Sequence, residues 1–367
     1  MKTKSPKLKT GSLRDQRQQE FADVFLEHGE FGILNLCPRF GKIYTTINIL
    51  EKLDKNINIL IAYPDLKIKD SWETDFKSRK YKNTNITYTT HLSIKKHTDT
   101  HFDLVILDEV HLLSEAQIEA VKELKCISML GLTGTLSKHT EITLRSELQL
   151  NVLATYPIEQ AIEEGVITDY EITVVSVPLD NKRLNDYKGK KRTEKKQFDS
   201  YAWVIDQLER QNKSTMFLRL ARMRIIQNSI AKMEKTRELL AAHKDERILV
   251  FCGLTKIADE LGIPVYHSKA GEKDVFENFA NGEGNHLAVV KIGNTGVTYK
   301  PLNRVIINYF DSNGENLAQK IMRCTAMEYD NQDKKSHIYI ICSDEPVERK
   351  WLKSALDMFE KDKIKYI

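Results

Sequence analysis

The sequence predicts an α/β protein of two domains, each organised on a parallel sheet. Three observations carry this prediction. The chain has 367 residues, long for one hydrophobic core and comfortable for two. Short apolar runs at 58–63, 103–107, 127–132, 247–252 and 305–309 alternate with helical patterns, as strands covered on both faces of a parallel sheet do. The alternation is interrupted once, at 179–243, where the chain reads as helical and, in its first part, strongly basic.

In order, an amphipathic helix is expected from residue 13 to about 28, with Phe21, Val24 and Phe25 on one face. The apolar run 34–36 then turns at Pro38 and gives way at Gly41 and Lys42 to a helix reaching about Leu53. A strand, a tight turn and a helix start aim backbone N–H groups and the positive end of the helix dipole at one point, which favours an anion. Pro38, Arg39, Phe40, Gly41, Lys42 and Ile43 form this candidate phosphate loop, with Lys42 adding a point charge for the outer phosphates. Leu36 and Ile43 depart from the G-x-x-x-x-G-K-[ST] pattern, so taken alone the stretch describes a structural turn at least as well.

A second strand at 58–63 ends at Pro64 and leads to a helix around Trp72; a third covers 85–91. The run 103–107 passes straight into Asp108-Glu109-Val110-His111, and 127–132 into Thr133-Gly134-Thr135. Ligands of such sheets sit at the carboxyl ends of strands, where these polar residues fall. A short helix at 156–167, closed by Gly165, precedes a strand at 170–177. The expected domains are therefore 1–166 and 167–367, the second beginning with a basic helical segment at about 180–245. Strands at 247–252, 264–266, 286–290, 305–309 and 338–341 complete it.

Bulk properties narrow the field. At 41% hydrophobic and 29% charged residues the chain has the composition of a folded protein, and disorder is not indicated. The net charge of +4 implies no partner until its distribution is known. Five scattered cysteines without a C-x-x-C pair suggest neither a disulfide framework nor zinc, and no run is long enough to span a bilayer. The expected location is a reducing cytoplasm.

Phosphoryl transfer from a nucleotide needs a phosphate cradle, a metal on the β- and γ-oxygens, a group to orient water, and positive charge for the transition state. Gly41-Lys42, Asp108 and Glu109 supply candidates for the first three, in chain order. With these motifs quoted, the sequence resembles the superfamily 2 helicases of the DExH-box type, over nearly its whole length. Gly41-Lys42 matches motif I, residues 108–111 motif II, 133–135 motif III and 319–323 motif VI; weaker matches are 63–64 with Trp72, 88–91, 249–252 and 293–298. The junction at 156–170 is similar to that of the restriction-enzyme-like branch, which includes the type III restriction subunits. The Cys-Pro-Arg-Phe-Gly-Lys form of the loop and the compact size are similar to helicases of large bacteriophages.

The resemblance implies two RecA-like domains with ATP and Mg²⁺ hydrolysed between them. It gives Lys42 the β- and γ-phosphates, Asp108 the magnesium, Glu109 the attacking water, and Arg323, with Gln319 of the same motif, the γ-phosphate. His111, Thr133 and Thr135 would couple nucleotide to nucleic acid, expected to be DNA, while Thr89, Thr90 and Thr295 would contact a strand's phosphates or serve as ordinary strand-end hydroxyls. Gln18 is the candidate for reading adenine, although the usual spacing falls on Arg17.

Two departures bear on activity. Ile43 removes the magnesium-binding hydroxyl, and Thr45 and Thr46 lie elsewhere on the helix. In motif VI the usual glycine is Met322 and the last arginine is Ala326, which predicts slow hydrolysis. The basic segment, with Tyr187, Phe198, Tyr201 and Trp203 nearby and Arg219, Arg222, Arg224 and Lys232 beyond, reads equally as a solvated face and as a contact for nucleic-acid phosphates. The reading is a nucleic-acid-dependent ATPase, a DNA helicase or translocase. Its alternatives are a helicase-like clamp of weak or no hydrolysis and the motor subunit of a restriction-type complex. A protein partner is compatible with each.

Overall fold

The computed structural model describes residues 12–28, 31–53, 56–83, 85–187, 189–267, 273–290, 302–311, 314–325, 335–357 and 359–367. The chain divides into two units after Ile167. The first contains α1 (Leu13–His28), β1 (Phe31–Leu36), α2 (Lys42–Lys52), β2 (Ile59–Tyr63), α3 (Lys67–Ser78), β3 (Ile86–Thr90) and β4 (His101–Asp108). It continues through α4 (Glu115–Lys122), β5 (Lys125–Thr133), α5 (Lys138–Leu148), β6 (Asn151–Tyr156) and α6 (Ile158–Glu163). Its six strands form a wholly parallel sheet in the order β3-β2-β4-β5-β1-β6.

The register decides where chemistry can occur. Asn35 of β1 lies beside Thr133 of β5, and Leu132 of β5 beside Asp108 of β4, so three neighbouring strands end at one rim. On one face of the sheet, Ile33, Leu60, Val105 and Leu107 pack with Ile118 and Val121 of α4 and Leu144 and Leu148 of α5. Burial of each such side chain contributes about 1.5–3 kcal/mol, enough to hold the rim rigidly.

The second unit runs β7 (Tyr170–Val177), β8 (Asn185–Tyr187), β9 (Lys190–Arg192), α7 (Glu194–Glu209), α8 (Met216–Gln227), α9 (Ile230–Ala242), β10 (Ile248–Cys252) and α10 (Thr255–Glu260). It proceeds through β11 (Val265–Tyr266), α11 (Lys273–Asn281), β12 (His286–Val290), β13 (Arg304–Ile307), α12 (Gly314–Ile321), β14 (Ser336–Ser343), α13 (Pro346–Ala355) and β15 (Ile364–Tyr366). Seven of its strands form a second parallel sheet, β11-β12-β10-β13-β14-β7-β15. Val175, Ile248, Val250, Ile306 and Ile341 pack with Met233 and Leu240 of α9 and Ile257 of α10. Both units are thus parallel-sheet α/β folds of the RecA type.

Some local expectations are corrected. Residues 190–192, expected as helix, are β9 of an antiparallel hairpin with β8, turned by Gly189 at φ 76°, where a side chain would be strained. Lys232 does not extend a basic face: it is 1% exposed and its ammonium meets Glu348 at 2.5 Å. The edge strands β6 and β15 were not expected from the sequence. Thr295, with residues 293–298, and Ala326 lie outside the described residues. Among the described residues no helix is long and apolar enough to cross a membrane.

Candidate active site

The turn after β1 is held from three sides. Cys37 N–H donates to the Tyr156 carbonyl (3.0 Å), tying the turn to the end of β6. Phe40 is fully buried, its ring 5.6 Å from Phe21 of α1 and 4.8 Å from Tyr156, so this loop side chain is an anchor turned into the core. Gln18, 2% exposed, donates from Nε2 to the Phe40 carbonyl (2.8 Å). Gly41 has φ 102°, a conformation that favours glycine, and a Cβ there would come within 2.5 Å of Gln18 Nε2, so the Gln18 amide would have to shift. Gly41 offers no side-chain cap to α2, whose first N–H groups therefore face outward as the start of a helix leaves them.

Lys42 opens α2 and reaches the neighbouring strand ends. Its Nζ donates to Glu109 Oε1 at 2.7 Å, with the two side chains 15% and 18% exposed. Burial works against the ammonium, but Glu109 and Asp108 outweigh it and raise its pKa. Glu109 has φ 49° and ψ 52°, a left-handed conformation unusual for a glutamate. Such strain persists only where the surroundings impose it, and here it turns the carboxylate back toward Lys42.

Asp108, the last residue of β4, is 6% exposed. Trp72 of α3, fully buried, donates its indole N–H to Asp108 Oδ2 at 3.0 Å. Burial first, then the charge of Glu109, push the Asp108 carboxyl above the usual carboxylate range, against the pull of Lys42 and Trp72. His91, which follows β3, lies 3.0 Å by Nε2 from the Asp108 carbonyl. Burial lowers His91 to about 4, so the ring is neutral and Nε2 carries the proton shared with that carbonyl.

A polar chain joins this pair to the end of β5. His111 is fully buried in its side chain and kept neutral chiefly by burial; its Nδ1 is 3.5 Å from Glu109 Oε2 and 2.8 Å from Thr133 Oγ1. Thr133 Oγ1 donates to the Thr135 carbonyl (2.8 Å), which leaves it to accept from His111. Gly134 between them abuts the loop: a Cβ would lie 3.1 Å from the Leu36 carbonyl oxygen and 3.2 Å from Lys42 Nζ.

The structure therefore brings together Pro38, Arg39, Phe40, Gly41, Lys42, Gln18, Asp108, Glu109, His111, Thr133 and Thr135. Arg17, the competitor of Gln18, is committed elsewhere, pairing with Glu164 at 2.6 Å and Glu20 at 2.7 Å. Thr45 and Thr46 donate to the carbonyls of Gly41 (3.4 Å) and Lys42 (3.0 Å), so their hydroxyls serve the helix, and Ile43 has no local replacement. Thr89 is buried at the end of β3 and Thr90 half-buried beside it. Gln319 is half-buried in α12, and Arg323 is 8% exposed in the 3-10 turn Met322–Cys324; both belong to the second unit. Sequence reasoning missed the partnership of Trp72 with Asp108. The signal for it was that a buried indole N–H needs an acceptor, and the adjoining strand ends in two carboxylates.

Two family models match the chain: the type III restriction enzyme res subunit over residues 42–138, and the helicase conserved C-terminal domain over 231–326. Together these matches support a superfamily 2 helicase related to type III restriction subunits. Among curated relatives of this helicase, a DNA 3'-5' translocase XPB2 of Sulfurisphaera tokodaii is 24% identical over 325 residues, spanning 78% of this chain and 72% of the relative. Among solved structures, an ATP-dependent Type ISP restriction-modification enzyme, LlaBIII, bound to DNA, superposes with a TM-score of 0.61 at 14% identity. That match covers the whole of this chain but 31% of the restriction enzyme, and it bears on the fold alone.

The donor set fits a magnesium nucleotide. Gln18 Oε1 and Thr135 Oγ1 are buried without a hydrogen-bond partner among the described residues, and both belong to segments bordering the loop. No cluster of three or more His, Cys, Asp or Glu among the described residues could hold a metal ion. A magnesium ion here would rest on Asp108, water and the phosphates it accompanies.

Proposed function

We propose that the protein is an ATP-driven DNA helicase or translocase whose nucleotide is held at the rim formed by β1, β4 and β5. The observation that carries this reading is the contact of Lys42 with Glu109, beside an Asp108 fixed by Trp72. A decayed site has no reason to keep a strained glutamate aimed at a lysine. The XPB2 relative, named as a DNA translocase, supports DNA as the track.

In this reading the start of α2 and Lys42 bind the β- and γ-phosphates, Lys42 leaving Glu109 for them. Gln18 reads the adenine with its unpartnered Oε1, which can accept the exocyclic amino group. Asp108 would hold a magnesium ion, which would supply neutralisation of phosphate charge, while the Trp72 indole N–H keeps the carboxylate in place. Glu109, released by Lys42, orients the attacking water and takes its proton. Arg323 answers the charge that develops on the γ-phosphate, with Gln319 beside it in the same motif. Glu109, His111, Thr133 and Thr135 form a continuous polar chain by which loss of the γ-phosphate is felt at the end of β5, and Thr89, Thr90 and Thr295 contact strand phosphates.

One observation favours a second reading, a clamp of little turnover: Ile43 leaves the metal without a hydroxyl, and Thr45 and Thr46 are bonded to the helix backbone. Steady-state ATP hydrolysis with Mg²⁺, alone and with single-stranded DNA, forked duplex or RNA, separates the two. Stimulation by DNA that is lost in Glu109→Gln supports the motor. Salt-sensitive DNA binding with no hydrolysis on any of them supports the clamp. Hydrolysis unchanged in Glu109→Gln overturns the site.

A further inference from the structure

Charge in this chain is unevenly placed. From Lys182 to Arg224, thirteen lysines and arginines stand against five aspartates and glutamates, a local +8 in a chain of net +4, so the rest carries −4. This segment forms the β8–β9 hairpin, α7 and α8, all in the second unit, and Lys190, Lys191, Lys213 and Arg224 are exposed on it. The same segment carries exposed large apolar side chains, Trp203 on α7 at 65% and Phe217 on α8 at 79%.

In the same unit, α8 and α13 bound a groove of about 510 Å³, lined by Met216, Leu220, Met223 and Trp351 together with Arg219 and Arg222. Arg219 is paired with Glu209 at 2.6 Å. Arg222 has no ion pair among the described residues; its guanidinium lies 5.5 Å from the centre of the Phe198 ring. Glu209 and Glu345 attract it only from beyond ion-pair distance, so a half-buried cation backed by an aromatic ring keeps donors for an anion brought from outside.

We propose that this face of the second unit, α7 and α8 with the groove against α13, binds single-stranded nucleic acid. Phosphates meet Arg222, Arg219 and the neighbouring lysines, and unstacked bases lie on Phe217 and Trp203 and in the groove against Trp351. The rings decide for a single strand: a duplex buries the faces of its bases and leaves exposed aromatic residues nothing to stack on. The charge decides against an acidic peptide confined to the groove, because the excess extends through α7 to the β8–β9 hairpin. The proposal rests on the DNA-motor reading and deepens it by naming a strand contact separate from the strand-end threonines.

The test uses the full chain and a fluorescein-labelled oligothymidylate of roughly 20 nucleotides, followed by anisotropy at several salt concentrations. Trp203→Ala and Phe217→Ala, both at exposed positions that folding does not need, are each expected to weaken binding about 5- to 150-fold, the range found for loss of one stacked base. Arg219→Gln with Arg222→Gln is expected to flatten the logarithmic salt dependence by about 1.4, at roughly 0.7 for each phosphate of a single strand. Because Arg222 also covers Phe198, Arg222→Lys serves as the control that restores slope while keeping the positive charge. Wild-type affinity and slope in all these variants overturn the surface and hand the groove to a protein partner, leaving the motor reading intact. Wild-type protein that binds neither this oligomer nor duplex DNA overturns the motor reading itself, and this proposal with it.

Discussion

Replacing Glu109 by Gln is expected to tighten nucleotide binding while stopping turnover. In the free protein Lys42 is held by Glu109 at 2.7 Å, with the two side chains 15% and 18% exposed. Binding must take the ammonium from the carboxylate and bring further negative charge up to it. At such partial burial two opposite charges attract by about 4 kcal/mol at 4 Å. Desolvation offsets much of this and a glutamine still accepts a hydrogen bond, so the net relief is about 1–2 kcal/mol. That corresponds to roughly 5- to 30-fold in affinity. Titration of a fluorescent ATP analogue with Mg²⁺ measures it, and single-turnover hydrolysis should fall at least about 100-fold in parallel, the usual share of a general base. Unchanged or weaker nucleotide binding in a variant that melts like the wild type would refute the idea that Lys42 must change partners.

Three further outcomes are expected. Trp72→Phe keeps the ring packing but strands Asp108 Oδ2, so thermal melting should register a loss of about 1–3 kcal/mol, and the magnesium needed for half-maximal turnover should rise. Lys232→Met leaves Glu348 as a buried unpaired carboxylate, which costs about 3–5 kcal/mol and lowers the melting temperature of the second unit by roughly 6–20 °C; adding Glu348→Gln should recover much of it in a double-mutant cycle. Glu164 is lowered from 4.5 to about 2 chiefly by its hydrogen bonds from Arg17, so its stabilising contribution is complete above pH 4.5 and vanishes as pH falls through about 2. Melting between pH 6 and 2.5 should therefore decline more steeply in the wild type than in Glu164→Gln.

The sheets were legible because their central strands are continuous apolar runs bounded by Pro, Gly or polar strand ends, a pattern with few alternative foldings. The site was legible for the same reason: Asp108 and Thr133 sit where such runs stop. What stayed hidden depended on partners distant in sequence. Edge strand β6 mixes Asn and Thr with apolar residues because one side of it is unpaired, and β15 is three residues long. Lys232 read as a surface charge because nothing local announces Glu348, 116 residues away. Phe40 read as part of a ligand cradle, whereas its ring completes an aromatic cluster with Phe21 and Tyr156 that no spacing rule foresees. Gln18 was the sequence's candidate, but that Arg17, where the usual spacing falls, is held by Glu164 could not be read there.

The position of β7 sets an order of events during synthesis. It is the first strand of its sheet to leave the ribosome, yet its neighbours are β14 and β15, the last two to be made. About 160 residues separate β7 from β14, which at 5–20 residues per second is a wait of roughly 8–30 s. Throughout it, an apolar strand has both edges open, while the first unit can already close as soon as β6 is complete. A newborn chain is thus a first unit whose sheet is complete followed by a second whose sheet is not, and a ribosome that stalls before β14 releases a product with one finished domain and one unpaired apolar strand.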